Sequence, residues 1–267
     1  MIYLVTGLGI YAVVVGLLML AAPGMMFPRP PSDPRSGVDV VMVETGRGDT
    51  IALRYFPPPD DSAPVLLVSR GNFEDLGASE FYLTWLHEEG LGVLAYDYPG
   101  YGVSTGRATE ASVEAAAQAA WDWLTGDQGV APARVVLLGR SIGSGPAVWL
   151  ATRVPAAGLI LESAFTSAPE VMFRTRLSPW DPFPNRARLR AYDRPILLIH
   201  GRDDDIIPIR HSKALQRAAA MAPEVRTLFI DHVGHNDLLP ASRAEYMAEV
   251  SDFARRWAGG AAPAPDA

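Results

Sequence analysis

The 267-residue chain contains no cysteine. That absence removes disulfides, thiol nucleophiles and cysteine-ligated metal sites together, while leaving the redox compartment open. Lysine is nearly absent as well: Lys213 stands alone, and the other basic side chains are arginines. With 23 basic against 30 acidic residues the net charge is −7. An acidic chain without basic runs is not expected to bind nucleic acid. Charge of either sign is missing altogether before Arg29. No internal repeat of 20–50 residues is visible. What is present, 49% hydrophobic and 20% charged residues, is a globular balance that excludes a disordered or collagen-like chain.

From Ile2 to Ala22 the residues are apolar or small, with Tyr3, Thr6 and Tyr11 the only polar groups. As a helix this run spans about 31 Å, the thickness of a hydrocarbon core. A cleaved signal peptide would want basic residues ahead of the run and a small-x-small cleavage site, and neither is there. The reading is an uncleaved transmembrane anchor over 1–22. Arg29 and Arg35 just beyond it place the following domain in the cytoplasm by the positive-inside rule. Pro23, Pro28, Pro30, Pro31 and Pro34 predict a stiff linker over 23–37. Residues 258–267, with Pro263 and Pro265, read as a disordered tail. The 220 or so residues between them, 38–257, suit one domain.

Inside that domain two β-type runs, Val38–Val43 and Ile51–Phe56, precede a regular alternation. Apolar runs at 65–69, 92–97, 134–139, 158–162, 196–200 and 226–230 are separated by helical stretches at 79–89, 109–125, 142–153 and 210–222, with a last one at 242–257. Short buried strands spaced by helices predict an α/β fold, with a mostly parallel eight-stranded sheet and helices on both faces. Ligands of such sheets bind at the carboxyl ends of the strands. The residues following successive strands therefore matter most, and they place a serine, acids and a histidine on one rim.

The serine is Ser141, in Gly139-Arg140-Ser141-Ile142-Gly143. This G-x-S-x-G follows a β-type run and precedes a helical one, the setting of a nucleophile elbow. The glycines suit a turn too tight for a Cβ two residues either side of the serine. A serine nucleophile needs a base. Of five histidines, His87 reads as a helix residue, His200 as a packed strand end and His211 as a solvated helix start. His232 and His235 both follow the last strand, and only His235 sits in a turn, Gly234-His235-Asn236, from which it can reach the serine. Asp203, Asp204 and Asp205 follow the preceding strand and are equal candidates for the acid that orients the histidine. Consecutive aspartates point different ways and no metal-loop spacing exists, so no metal or other cofactor is expected.

Several stretches carry a resemblance: Arg70-Gly71-Asn72, Tyr96 to Ser104, Gly139 to Gly143, Phe165-Thr166-Ser167, Asp181 to Asn185, His200-Gly201 with Asp204, and Gly234 to Asp237. From about Val65 to Leu238 the chain resembles the α/β-hydrolase fold. Within it, the chain is similar to membrane-associated α/β-hydrolase-domain proteins that remove palmitate from cysteines, and to their bacterial relatives. The resemblance implies Ser141 as nucleophile, His235 as base and Asp204, third after His200-Gly201, as the acid. It also implies backbone N–H groups of Asn72 and Ile142 as the oxyanion hole. Two departures stand out. Arg70 replaces the family's usual histidine and puts a cation on the rim, and an apolar helix replaces a cysteine-rich lipidated N-terminus.

The expectation is a membrane-anchored serine hydrolase acting on an acyl ester or thioester through an acyl-enzyme. A small-peptide hydrolase on the same three residues is one alternative, and a catalytically silent membrane-tethered scaffold is another. The segment Phe165–Arg194, with Met172, Phe173, Leu177, Trp180 and Phe183, reads equally as a lid over an acyl pocket or as ordinary packing.

Overall fold

The computed structural model describes residues 2–28, 38–172 and 181–258. Eight strands form one sheet: β1 (Val41–Glu44), β2 (Thr50–Phe56), β3 (Val65–Ser69), β4 (Gly92–Tyr96), β5 (Val135–Arg140), β6 (Gly158–Glu162), β7 (Ile196–Gly201) and β8 (Val225–Ile230). Their order is β1-β2-β4-β3-β5-β6-β7-β8. β1 and β2 pair antiparallel, β2 runs antiparallel to β4, and all later pairs are parallel. The apolar runs of β3, β4 and β6 are buried at every position, as a sheet covered on both faces requires. The edge strand β1 is short, mostly exposed and ends in Glu44, features that discourage edge-to-edge pairing.

Helices α2 (Leu76–Glu88), α3 (Glu110–Asp122), α4 (Ser144–Ala151), α5 (Ala168–Met172), α6 (Asn185–Arg188), α7 (Arg210–Ala218) and α8 (Leu238–Trp257) follow the strands. The starts of two are set by side-chain caps: Asp75 accepts from Ala78 N–H at 2.9 Å, and Thr109 and Ser112 cap each other's backbone. Two apolar clusters lie on opposite faces of the sheet. One holds Leu83, Leu86, Val250 and Phe253 from α2 and α8; the other holds Val113, Ala117 and Val148 from α3 and α4.

The N-terminal helix α1 runs from Ile2 to Met26, straight through Pro23 where the linker was expected to begin. Among the described residues no helix is long and apolar enough to cross a membrane, so the transmembrane anchor expected over 1–22 is not supported here. Nor does a stalk separate α1 from the domain. Its last turn is built into the core, with Ala22, Met26 and Phe27 at most 6% exposed. Phe27 packs edge-on against Tyr98 at 5.6 Å and Phe183 at 6.2 Å. Residues 29–37 of the expected linker and 259–267 of the expected tail lie outside the described residues.

Candidate active site

β5 stops at Arg140, and Ser141 turns the chain sharply at φ 53°. A non-glycine residue in that left-handed region stores about 1–3 kcal/mol of strain. A short 3₁₀ turn, Ser141–Gly143, then leads into α4. The register Ser69↔Gly139 presses this turn against the end of β3. A Cβ on Gly143 would lie 2.1 Å from Ser69 O, and one on Gly139 would lie 2.7 Å from Gly143 O. The spacing of the two glycines is thus a steric requirement of the turn.

The loop after β8 brings His235 Nε2 to 3.0 Å from Ser141 Oγ. The loop after β7 brings Asp204 Oδ2 to 2.7 Å from His235 Nδ1. An Nδ1–H donated to the carboxylate leaves Nε2 free to accept from the serine hydroxyl. Asp204 is held from four directions. Its Oδ1 accepts from the backbone N–H of Ile206 at 3.0 Å and Ile207 at 2.7 Å. Its Oδ2 also lies 3.2 Å from His200 Nε2. Burial would push this carboxyl up, but the hydrogen bonds from His200 and His235 outweigh it and hold it well below the usual carboxylate range.

Asp203 and Asp205 take no part. Asp203 faces His232 across 3.6 Å at the exposed surface, where the His232 side chain is 94% exposed. His200 goes beyond strand packing, because its Nδ1 bonds Ser212 Oγ at 2.6 Å while its Nε2 reaches Ile207 O at 2.7 Å as well as Asp204. Only the His-x-x-x-Asp spacing of strand end and acid hinted at that contact. His211 corrects the sequence reading: it is 3% exposed, not solvated, and its Nδ1 lies 2.9 Å from Thr166 Oγ1. His87 bonds Leu91 O at 2.9 Å and leans on the Phe56 ring.

Beside Ser141 and His235 opens a cavity of about 250 Å³. Gly71, Asn72 and Ile142 line it near the serine. The backbone N–H of Asn72 donates to no other group among the described residues, and its side-chain amide donates to Met26 O at 2.7 Å. Tyr101 hydroxyl bridges Asn72 O at 3.0 Å and Pro28 O at 2.6 Å. Farther from the serine the wall turns apolar, with Met25, Met26, Phe165, Val171, Met172 and Ile206.

The rim cation expected from Arg70 is absent. Arg70 is 2% exposed, turned inward onto Asp97, with further bonds to Glu74 O at 2.9 Å, Ser79 Oγ at 3.0 Å and Tyr96 O at 3.1 Å. Arg140 reaches the pocket instead, neutralised by Glu74 and by Glu162 at 3.0 Å. Burial would loosen its proton, yet those two carboxylates hold it more tightly than in water. Tyr246 hydroxyl supports Glu162 from behind at 2.9 Å. The segment Phe165–Arg194 divides between its two readings. Phe165 and Met172 line the cavity, Phe183 is fully buried against Phe27 and Phe165, and Phe173, Leu177 and Trp180 lie outside the described residues.

No family model matches the chain. It is 40% identical over 211 residues to an uncharacterized protein of Mycobacterium tuberculosis, covering 76% of this chain and 73% of that protein. It is 34% identical over 222 residues to α/β hydrolase domain-containing protein 17B of Homo sapiens, covering 82% of this chain and 76% of that one. Among solved structures, the esterase Pf2001 of Pyrococcus furiosus superposes with a TM-score of 0.69 at 20% identity, over 86% of this chain and all of that one. The esterase domain of a Rhodothermus marinus protein gives 0.63 at 22% identity, over 83% and 99%. At those identities the structural likeness speaks for the fold alone.

Proposed function

We propose that this chain, which belongs to the α/β-hydrolase family, hydrolyses carboxylic esters or thioesters with Ser141 as nucleophile. The single observation that carries the reading is the continuous hydrogen-bond chain Ser141–His235–Asp204, at 3.0 and 2.7 Å, opening onto a cavity with one polar and one apolar side. His235 Nε2 takes the hydroxyl proton as Ser141 Oγ attacks the acyl carbonyl carbon. Asp204 holds the imidazole in the required tautomer and stabilises its charged form. The carbonyl oxygen, now negative, is received by the backbone N–H groups of Asn72 and Ile142, each such donor worth about 3–4 kcal/mol. Collapse breaks the bond to the alkoxide or thiolate, which leaves with the proton held by His235. Water then gives a proton to His235 as its oxygen attacks the acyl carbon, and collapse breaks the acyl–Oγ bond, releasing the acid while His235 returns that proton to Ser141 Oγ.

Membrane association is part of the same proposal. Its support is a helix without charge, whose Val13, Leu17 and Leu20 stand at least 62% exposed, more apolar surface than water tolerates cheaply. Retention of the full chain in the membrane fraction after a high-salt wash tests this.

A fluorophosphonate probe tests the chemistry. The wild-type chain takes the label and Ser141→Ala does not; a labelled Ser141→Ala protein overturns the assignment. Rates on matched nitrophenyl esters, thioesters and peptide amides separate the esterase from a small-peptide hydrolase, and absence of all three leaves a scaffold.

A further inference from the structure

The last turn of α1 sits inside the substrate cavity, although it comes from the start of the chain and lies outside the strand-helix alternation that builds the rest of the site. Met25 and Met26 line this cavity together with Val171 and Met172 of α5, and Ser141 and His235 line it as well. The mouth is rimmed by side chains that remain exposed although they are apolar: Met25 at 57%, Phe73 at 75% and Ile206 at 51%. Three independent contacts fix the backbone of this turn. Phe27 is seated among Tyr98 and Phe183, Met26 O receives the Asn72 amide at 2.7 Å, and Pro28 O receives Tyr101 hydroxyl at 2.6 Å. A fixed backbone carrying two flexible thioether side chains makes an adaptable apolar wall.

We infer that Met25 and Met26 form the acyl-chain subsite, with Met25 at the mouth setting how long an aliphatic chain is accepted. The inference rests on the ester-hydrolase reading of Ser141. An acyl carbon attacked by Ser141 must send its aliphatic chain along the apolar side of the cavity, because Glu74 and Arg140 occupy the other. The apolar side chains along it include Met25, Met26, Val171 and Met172. The same turn touches the chemistry through Asn72: the amide that grips Met26 O belongs to the residue proposed to offer its N–H to the oxyanion. Occupation of the apolar wall and alignment of that N–H are therefore mechanically linked.

The test uses the full-length chain in detergent, with nitrophenyl butyrate and nitrophenyl laurate as short and long probes, and reads the ratio of kcat/KM for the two. Met25→Trp, which narrows the mouth, lowers the laurate-to-butyrate ratio by about tenfold or more, the scale of a pocket that loses room for methylenes. Met25→Ala raises it. Asn72→Ala, which keeps the backbone N–H and releases Met26 O, moves the ratio and lowers kcat on both esters. Leu17→Ser, on the same helix and away from the cavity, leaves the ratio at its wild-type value. A ratio within about twofold of wild type in both Met25 variants overturns the subsite while fluorophosphonate labelling keeps the hydrolase reading intact. A shift in Leu17→Ser equal to that of Met25→Trp also overturns it, since the effect would then belong to the helix as a whole. A wild-type chain without labelling or ester turnover overturns the hydrolase reading, and the subsite falls with it.

Discussion

The two sides of the cavity are built by opposite means. On the polar side each group is held by several others: Asp204 by two backbone N–H groups and two histidines, Arg140 by Glu74 and Glu162, and Glu162 by Tyr246. These groups stand at strand ends, where the sheet register leaves little freedom. On the apolar side the wall is assembled from an N-terminal helix, a five-residue helix and residues of separate loops, and Met25, Phe73 and Ile206 in it are more than half exposed. Chemistry needs donors and acceptors placed to fractions of an ångström, so its side is over-determined. Apolar contact is non-directional and tolerates adjustment, so the selecting side can be supplied by peripheral elements.

Substitutions on the two sides should therefore fail differently. Ser141→Ala is expected to cost about 10⁵- to 10⁶-fold in kcat with thermal stability little changed, because the strained φ remains and the His235 Nε2 it leaves lines the cavity. Asp204→Asn should lose about 10⁴-fold through the wrong histidine tautomer. Single-turnover acyl-enzyme formation, followed beside a melting curve, checks both. Phe27→Ala strikes the apolar side from behind. It is expected to cost about 3–5 kcal/mol of stability by opening a cavity among Tyr98 and Phe183. At roughly 2–4 °C in Tm per kcal/mol, that is a fall of about 6–20 °C. Its kcat on a short ester should fall far less than in Asp204→Asn. Equal losses of short-ester kcat in the two variants would break the division between the sides.

The same division explains what could be read from sequence. Buried strands write themselves as apolar runs, so the sheet and helices α2, α3, α4, α7 and α8 fell within a few residues of their observed ends, while the short α5 and α6 inside 165–194 were not anticipated. The elbow serine and the turn histidine carry local glycine signatures that sterics enforce, and the distances place Ser141 and His235 together. The choice among three consecutive aspartates had no local signal and needed a resemblance. Arg70 was misplaced because its partner Asp97 lies on another strand end, and pairing across a sheet leaves no trace in spacing. His211 was misread as solvated because a polar residue opening a helix looks exposed until Thr166 covers it. The role of Met25 and Met26 was hidden for a deeper reason. A run of apolar residues reads as something to be buried in lipid, and nothing in it says that its final turn lines a pocket formed with strand ends much later in the chain.

His211 offers the smallest and most discriminating test, since it stands between the two sides. It opens α7, just past the Asp204 loop, and touches Thr166, which leads into the α5 wall. Burial, and then the charge of Arg210, push its pKa down to about 4; Glu170 and Asp204 oppose this and His200 adds to it. In the unfolded chain the same ring titrates at about 6.5. Between those values the unfolded state holds a proton that the folded state refuses, so this residue makes stability fall as pH drops through the window. Asp204, whose carboxyl is depressed, withdraws its contribution only below the ordinary carboxylate range and stays out of it. His211→Asn removes the titration and keeps a side-chain partner for Thr166. Its Tm should therefore decline less than that of wild type from about pH 7 to about pH 5, the sign that linkage demands. Parallel curves would show that His211 ionises alike in both states. If the curves do diverge, the laurate-to-butyrate ratio of His211→Asn at neutral pH shows whether the contact with Thr166 also shapes the apolar wall: an unchanged ratio keeps the two sides separate, and a shifted one couples them through this histidine.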